Sequence, residues 1–593
     1  MKALILAAGI GNRMKPLTNK VHKTLLKIAG KPIINRIIDN LLDEKISDIT
    51  IVTGYMKDEL KSHLKLYYPK QTFSYVNNEK YLTTNNIYSL YLAFKKIEFD
   101  DDILLIESDL IFKKEVLRLI KESTNKNIAL VSKYHSGMDG TVVSLNNSII
   151  KEVIPPHLQH EDFIFSDKYK TLNIYKFDKF FCETDFKNLL DYYVTNTDQN
   201  SYYELVLGII IYMQKVSINA EIVDSQDWAE VDDPNDLSVA EFQFNKKSRL
   251  DLLSVNQGGY WNYDIIDYTF IRNMHFPTTS IVSELKNNFT KLIHNYGSSQ
   301  LKLNEKLSYI LNCNKDNIIF LNGSAQVYPI LENIFKNKSF LLPNPTFGEY
   351  SRFENNSIFY SDSVGVNLED LENKMLNQDI VVIVNPNNPT GTIISSEWIF
   401  SQAVNHKDTI FLVDESFIEF SNEKSIIELI EKNDLENIIV IRSMSKTYGV
   451  PGLRVGFVYT NNNLIMSEIS KNIPIWNINS IAENFIEILI KNKNEVLDSF
   501  NKTKVDRDEF VDQLKNVDII KKVFDSQSNF ILIEINKDKL NVDINLSEYL
   551  LENHLIYVKD ISHKFHKDSC SYLRLAVRTA EENLNLCHIL SSL

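Results

Sequence analysis

Short apolar runs alternate with longer amphipathic stretches from the first residues of the chain. KALILAA (Lys2–Ala8), DITIVTG (48–54), FSYVNN (73–78) and DDILLIESD (101–109) read as strands, while 32–43 and 56–66 carry helical spacing. This rhythm predicts an α/β fold with a mostly parallel sheet and helices on both faces. Sites in such sheets lie beyond the carboxyl ends of the strands. Three polar clusters stand at such ends: Ala7–Arg13, Glu107–Asp109, and Glu230 with Asp232 after Trp228.

At 593 residues the chain is too long for one core, and two to four domains are expected. A formal net charge of −14 argues against general nucleic-acid binding but leaves room for a local basic pocket around phosphates. The four cysteines (Cys182, Cys313, Cys570, Cys587) have no paired spacing, so neither disulfides nor a zinc site is expected. No 18-residue apolar span and no signal peptide are apparent, and a cytoplasmic protein without membrane insertion is the expectation. Basic residues and the pair Gly258–Gly259 in KKSRLDLLSVNQGGYW suggest a domain at 1–245, a linker at 246–264 and a second domain at 265–593. The second half does not repeat the first, so two different units are fused.

The strand Lys2–Ala8 runs into Gly9 and Gly11, where backbone N–H groups can close around an anion because no Cβ blocks the approach. LAAGIGNRMKPLT, with Lys23 and the following GKP, resembles the signature of the sugar-phosphate nucleotidyltransferases. Thr84-Asn85-Asn86 with Ser89-Leu90, Glu107-Ser108-Asp109 and Trp228-x-Glu230-x-Asp232 make it more similar to the choline-phosphate cytidylyltransferase branch. The resemblance implies a Rossmann-like, GT-A-like mixed sheet and metal-dependent transfer of a nucleotidyl group. It implies Asp109, Glu230 and Asp232 as Mg²⁺ ligands, and Lys23 holding the incoming anion or the α-phosphate. Leu6, Ala8, Gly9, Gly11, Asn12 and Arg13 would surround the nucleotide and its β,γ-phosphates, and Thr84, Asn85 and Glu107 would read base and ribose. For the acceptor, Lys133, Asp139, Glu161, Tyr175, Tyr202 and Glu204 are candidates. His22 departs from the family's usual proline.

From about residue 265 the chain resembles a fold-type I aminotransferase dependent on pyridoxal phosphate (PLP), in the branch of histidinol-phosphate aminotransferase and threonine-phosphate decarboxylase. NGSAQ (322–326), PTFGEY, NPNNPTG, VDESF, SMSKTYGVPGLRVGF and YLRLAV occur in the family's order. The resemblance implies Lys446 as the lysine that bonds the cofactor and moves protons, and Asp414 as partner of the pyridinium nitrogen. Asn388 would meet the ring oxygen and Phe347 would stack on the ring. Gly323, Ser324, Ala325, Ser443, Ser445 and Arg454 would hold the phosphate, and Arg574 the substrate carboxylate. Tyr296 would reach the cofactor of a partner in a homodimer built by this half. Phe417 stands where relatives commonly carry tyrosine, Arg578 where a small residue is usual, and Arg272 and His275 add cations near the substrate side. Together the halves imply small-molecule substrates: CTP, an aminoalkylphosphonate and an amino-acid donor. The second half would make 2-aminoethylphosphonate from phosphonoacetaldehyde by transamination and the first would convert it to its CMP derivative. A phosphocholine or phosphoethanolamine cytidylyltransferase with a decarboxylase partner is the alternative.

Overall fold

A computed structural model describes every residue except 136, 161, 162, 364, 541–544 and 566–569, and the side chain of Cys570. The chain divides into two compact units, Met1–Asp264 and Ile265–Leu593.

The first unit is built on nine strands: β1 (Lys2–Ala7), β2 (Ile49–Thr53), β3 (Phe73–Asn77), β4 (Ile103–Glu107), β5 (Ile128–Lys133), β6 (Val142–Asn146), β7 (Ile149–Ile154), β8 (Tyr169–Phe177) and β9 (Asn219–Ile222). Their order across the sheet is β3-β2-β1-β4-β8-β5-β9-β7-β6. Only β3-β2-β1-β4 and the β5–β9 pair are parallel; β8 runs antiparallel to β4 and β5. The sheet is therefore mixed, and the mostly parallel arrangement expected from the alternation holds only for its first four neighbours.

Period-two alternation divides the apolar side chains between two cores. Ile5, Ile51 and Ile106 face one side, where helix Ile33–Asp43 buries Ile34, Ile37, Ile38 and Leu41. Leu4, Leu6, Val52 and Leu105 face the other, against Leu90 of helix Asn86–Phe94 and Val206 of helix Tyr203–Tyr212. Each such side chain removed from water contributes about 1.5–3 kcal/mol. This rigid floor fixes where the loops after β1 and β4 emerge. The stretch 246–264, expected as a linker, carries a helix at Arg249–Asn256. Buried Arg249 donates to the Phe242 carbonyl at 2.9 Å, and Asn256 donates to the Tyr263 hydroxyl at 2.9 Å, so this segment folds onto the first unit.

The second unit holds a seven-stranded sheet made of β10 (Ile318–Asn322), β11 (Phe340–Asn344), β12 (Ser357–Ser361), β13 (Ile380–Val384), β14 (Ile410–Asp414), β15 (Ile438–Ser443) and β16 (Val455–Tyr459). The order is β10-β16-β15-β14-β13-β11-β12, with β16 antiparallel to both neighbours. The ends of β10, β11, β13, β14 and β15 and the start of β16 therefore share one edge. A separate sheet of Ile520–Val523, Phe530–Asn536, Lys559–Asp560 and Cys570–Ala576 carries Arg574.

Candidate active sites

The loop after β1 opens a cleft of about 760 Å³ in the first unit. Gly11 adopts φ +67, a left-handed conformation that favours glycine, and an added Cβ would lie 3.2 Å from Lys23. The turn that carries Lys23 is capped by His22, whose Nδ1 accepts from the Thr24 N–H at 3.2 Å. Burial first, then the neighbouring Lys23 charge, pushes the His22 imidazole down to about 4, so it caps as a neutral ring. His22 thus supplies by capping the fixed geometry that proline would supply by its ring.

Lys23 Nζ donates to Asp109 Oδ2 at 2.9 Å and to Asp232 Oδ1 at 2.6 Å. Burial opposes its charge, but the two carboxylates outweigh burial and raise its pKa. Arg13 joins the same cluster, 3.1 Å from Asp232. Glu230 is turned elsewhere. It lies 3.1 Å from Lys170 and accepts from Asn173 Nδ2 at 3.4 Å, and burial raises its pKa to about 7 against the pull of Lys170. Among the described residues no three acidic, histidine or cysteine side chains converge as metal ligands. Of the expected trio, Asp109 and Asp232 stand as a pair around Lys23, while Glu230 stands with Lys170. The pair still fits a hard cation: Asp109 Oδ1 is buried without a hydrogen-bond partner, an ammonium already bridges both carboxylates, and Mg²⁺ needs few protein oxygens.

Leu6, Ala8, Gly9, Gly11, Asn12, Arg13, Thr84, Asn85 and Glu107 all line this cleft, as do Asp139, Tyr202 and Glu204. Within it, Asn85 caps helix Asn86–Phe94 through the Asn86 N–H, and Asn86 donates to Glu107 at 2.8 Å. Lys133 does not line it and is exposed at the end of β5. Glu161 lies outside the described residues. Tyr175 is buried beneath the cleft in the sheet. Lys170 and Asn173 are the side chains missed by sequence reasoning. Both sit on β8, Lys170 just before and Asn173 within a step where five residues, Thr171 to Tyr175, face three on β5, Val131 to Ala129; Asn173 takes φ +57. The sequence signal was weak, two lysines and an asparagine among the apolar residues of YKTLNIYKF.

At the shared edge of the second sheet, Asp414 is gripped on both oxygens. Tyr328 and Tyr350 hydroxyls donate to Oδ2 at 3.0 and 2.9 Å, and Ser416 donates to Oδ1 through its hydroxyl at 2.6 Å. Lys446 Nζ lies 5.1 Å from the Phe347 ring centre and 4.5 Å from that of Phe417. Burial, with help from Arg574 and Arg454 and against Asp414, lowers its pKa to about 8. Gly323 has φ +76, and an added Cβ would stand 2.5 Å from Arg454 Nη2, so the arginine lies directly over this glycine beside the Ser324–Gln326 turn and helix Val327–Ile334. Arg574 donates to Asn388 Oδ1 at 3.0 Å and to the Thr269 carbonyl. Its Nε has no partner, and burial lowers its pKa to about 10. A cation over a side-chain-free turn, a fixed carboxylate, a shifted lysine and a half-satisfied guanidinium fit PLP with a carboxylate substrate.

The other expected site residues make the following contacts. Ser445 donates to the Val455 carbonyl at 3.1 Å and accepts from its N–H at 3.2 Å, so its hydroxyl fastens the loop. Ser443 is buried, with its N–H given to the Ser416 hydroxyl at 3.0 Å. Arg578 is locked to Glu582 by two bonds of 3.0 and 2.8 Å, and His275 to Asp506 at 2.6 Å. Tyr296 is 78% exposed and stacks on Trp476 at 4.4 Å.

Residues 267–590 match the aminotransferase class I and II family, and the chain belongs to that family, whose members use PLP. Residues 2–136 match the nucleotidyl transferase family, so the protein is an enzyme that fuses a nucleotidyltransferase to an aminotransferase-class domain. It is similar along nearly its whole length to CMP-5'-(3-aminopropyl)phosphonate synthase of Streptomyces rubellomurinus, 26% identical over 98% of this chain and 93% of that protein. The L-serine phosphate decarboxylase of Campylobacter jejuni is 30% identical over 49% of this chain and 77% of its own. The crystal structure of L-threonine-O-3-phosphate decarboxylase from Porphyromonas gingivalis superimposes with a TM-score of 0.50, covering 55% of this chain and 99% of that one; at 22% identity it speaks to the fold. No described helix is long and apolar enough to cross a membrane.

Proposed function

We propose that the first domain transfers CMP from CTP to a phosphonate oxygen of 2-aminoethylphosphonate or a close aminoalkyl homologue, releasing pyrophosphate, and that the second domain makes the amine by transamination of phosphonoacetaldehyde. The observation that carries the reading is the Lys23 ammonium clasped by Asp109 and Asp232 at the mouth of the Gly9–Arg13 loop. Cation and carboxylates stand together where two anions have to meet. The whole-length likeness to a protein named as a CMP-aminopropylphosphonate synthase supports both the base and the acceptor class.

In this reading Gly9, Gly11, Asn12 and Arg13 take the β,γ-phosphates, Thr84, Asn85 and Glu107 read the nucleoside, and Lys23 moves from its carboxylates to the incoming phosphonate. A bound Mg²⁺ on Asp109 and Asp232 would offset phosphate charge. In the second domain Lys446 anchors the cofactor and carries a proton, Asp414 holds the pyridine nitrogen, Asn388 and Phe347 orient the ring, Gly323–Ala325 and Arg454 take its phosphate, and Arg574 the carboxylate. PLP when bound supplies an electron sink for the bond broken at the α-carbon. Two copies pair through the second domain, in keeping with the exposed Tyr296–Trp476 stack, and the enzyme works in the cytoplasm.

The test is pyrophosphate release from CTP and Mg²⁺ with 2-aminoethylphosphonate, 3-aminopropylphosphonate, phosphoethanolamine and phosphocholine. One of the phosphonates should be the best acceptor. A phosphate ester winning would favour the second reading, with a decarboxylase-type partner domain, which the likeness to L-serine phosphate decarboxylase supports. Asp109→Ala should abolish nucleotidyl transfer and spare the PLP activity, and Lys446→Ala the reverse.

A further inference from the structure

The floor of the N-terminal cleft carries one carboxylate too many. Lys23 holds Asp109 and Asp232, Lys170 lies 3.1 Å from Glu230, and Glu107 accepts from Asn86 at 2.8 Å. Glu204 remains. It lines the cleft at 5% exposure, and among the described residues it forms no ion pair and its Oε2 has no hydrogen-bond partner. Glu204 also borders a second, small cavity lined by Leu207, Ile211 and Ile218 together with Thr171 and Tyr175, neither of which donates to Oε2. A buried acceptor without a donor loses the hydration it had in water, and native folds keep one where something else completes it.

Burial raises the Glu204 pKa against its own backbone N–H and the charge of Lys170, so a cation arriving in the cleft would hold it as a carboxylate. Glu204 is the second residue of helix Tyr203–Tyr212, where the exposed N–H groups of the first turn favour an anion. Asn86 ties that helix start to the cleft: its Oδ1 accepts from the Tyr203 N–H at 3.1 Å while its Nδ2 holds Glu107. Lys170 is near enough to act on Glu204 through its field, but its ammonium is already given to Glu230 and to the Thr171 carbonyl at 3.1 Å.

We propose that Glu204 binds the primary ammonium group of the acceptor and selects short acids that carry an amine at the end opposite the reacting oxygen. The proposal rests on the reading of the first domain as a cytidylyltransferase for aminoalkylphosphonates and adds the residue that recognises the amine. A primary ammonium has three N–H donors, one of which can go to Oε2. A trimethylammonium group has none and leaves Oε2 as bare as before.

The experiment measures kcat/KM for pyrophosphate release by the full-length wild type and Glu204→Gln, with 2-aminoethylphosphonate and with ethylphosphonate, which lacks the amine. Losing one partner of a buried charge pair should lower kcat/KM for the aminoalkyl acceptor by about 30-fold or more. The value for ethylphosphonate and the KM for CTP should stay unchanged, and Glu204→Asp should recover part of the loss. An amine preference that survives Glu204→Gln, or an equal loss on both acceptors, overturns the role of Glu204 alone. Wild-type enzyme that releases no pyrophosphate with any aminoalkylphosphonate overturns the underlying reading and the proposal with it.

Discussion

Replacing Lys23 by methionine separates its two tasks, holding the carboxylates and serving the reaction. Methionine keeps most of the stem volume and removes the charge. The two bonds to Asp109 and Asp232, 2.9 and 2.6 Å long, are charge-assisted and of the kind that contribute about 1.5–3 kcal/mol each. The site is open at its edge, with the Lys23, Asp109 and Asp232 side chains 12%, 20% and 25% exposed, which discounts that sum. A divalent ion binding to the wild type without nucleotide has to displace the ammonium from both oxygens. With methionine there is nothing to displace. A difference of about 2 kcal/mol, or roughly 30-fold in Kd, is expected in favour of the variant. Calorimetric titration of Mg²⁺ into nucleotide-free wild type and Lys23→Met reads it directly, and pyrophosphate release should be lost in the variant despite the tighter metal. Equal or weaker metal binding by Lys23→Met would refute the idea that Asp109 and Asp232 are the ligands and that lysine occupies their place.

Two further outcomes concern the second domain. Because the Lys446 pKa is lowered from 10.5 to about 8, its free amine forms as pH rises through about 8, so covalent uptake of PLP by apoprotein should speed up across that window and level off above it. A rate still climbing towards pH 10 would show an unshifted lysine, and Arg574→Ala, which removes a nearby positive charge, should move the midpoint upward. Gly323→Ala places a Cβ 2.5 Å from Arg454 Nη2 on a backbone at φ +76. PLP affinity measured by fluorescence quenching should fall tenfold or more, about 1.4 kcal/mol, with the far-ultraviolet circular dichroism unchanged; unaltered affinity would remove Gly323 from the phosphate site.

Much of both sites was legible because the chemistry is local. Gly9 to Arg13 and the stretch ending at Lys446 are continuous segments, and Asp109 and Asp414 end apolar runs, where strand-end sites are expected. What stayed hidden depends on pairing between distant segments. The mixed sheet was implied only by the resemblance, because nothing in the alternation says that β8 inserts antiparallel beside β4, and the delivery of Lys170 to Glu230 could not be read at all. The expected trio of metal ligands is thereby shared between two lysines, Lys23 and Lys170. Lys133 illustrates the converse: a lysine at a strand end looks like a site residue, yet it is exposed away from the cleft lining. Glu204 was one acidic residue at the head of an apolar helix, and its significance comes from the oxygen left without a donor.

The irregular step in β8 limits how this cleft can change. Five residues there span three on β5, a surplus of two, and two is the side-chain period of a strand. The residues on either side of the step therefore keep their faces. Inserting or deleting one residue would turn Lys170 out of the cleft and leave Glu230 buried without its cation; a change of two would preserve the pair. Variation in the length of this strand among enzymes of altered acceptor size should therefore come in twos, with single-residue steps confined to the loops at its ends.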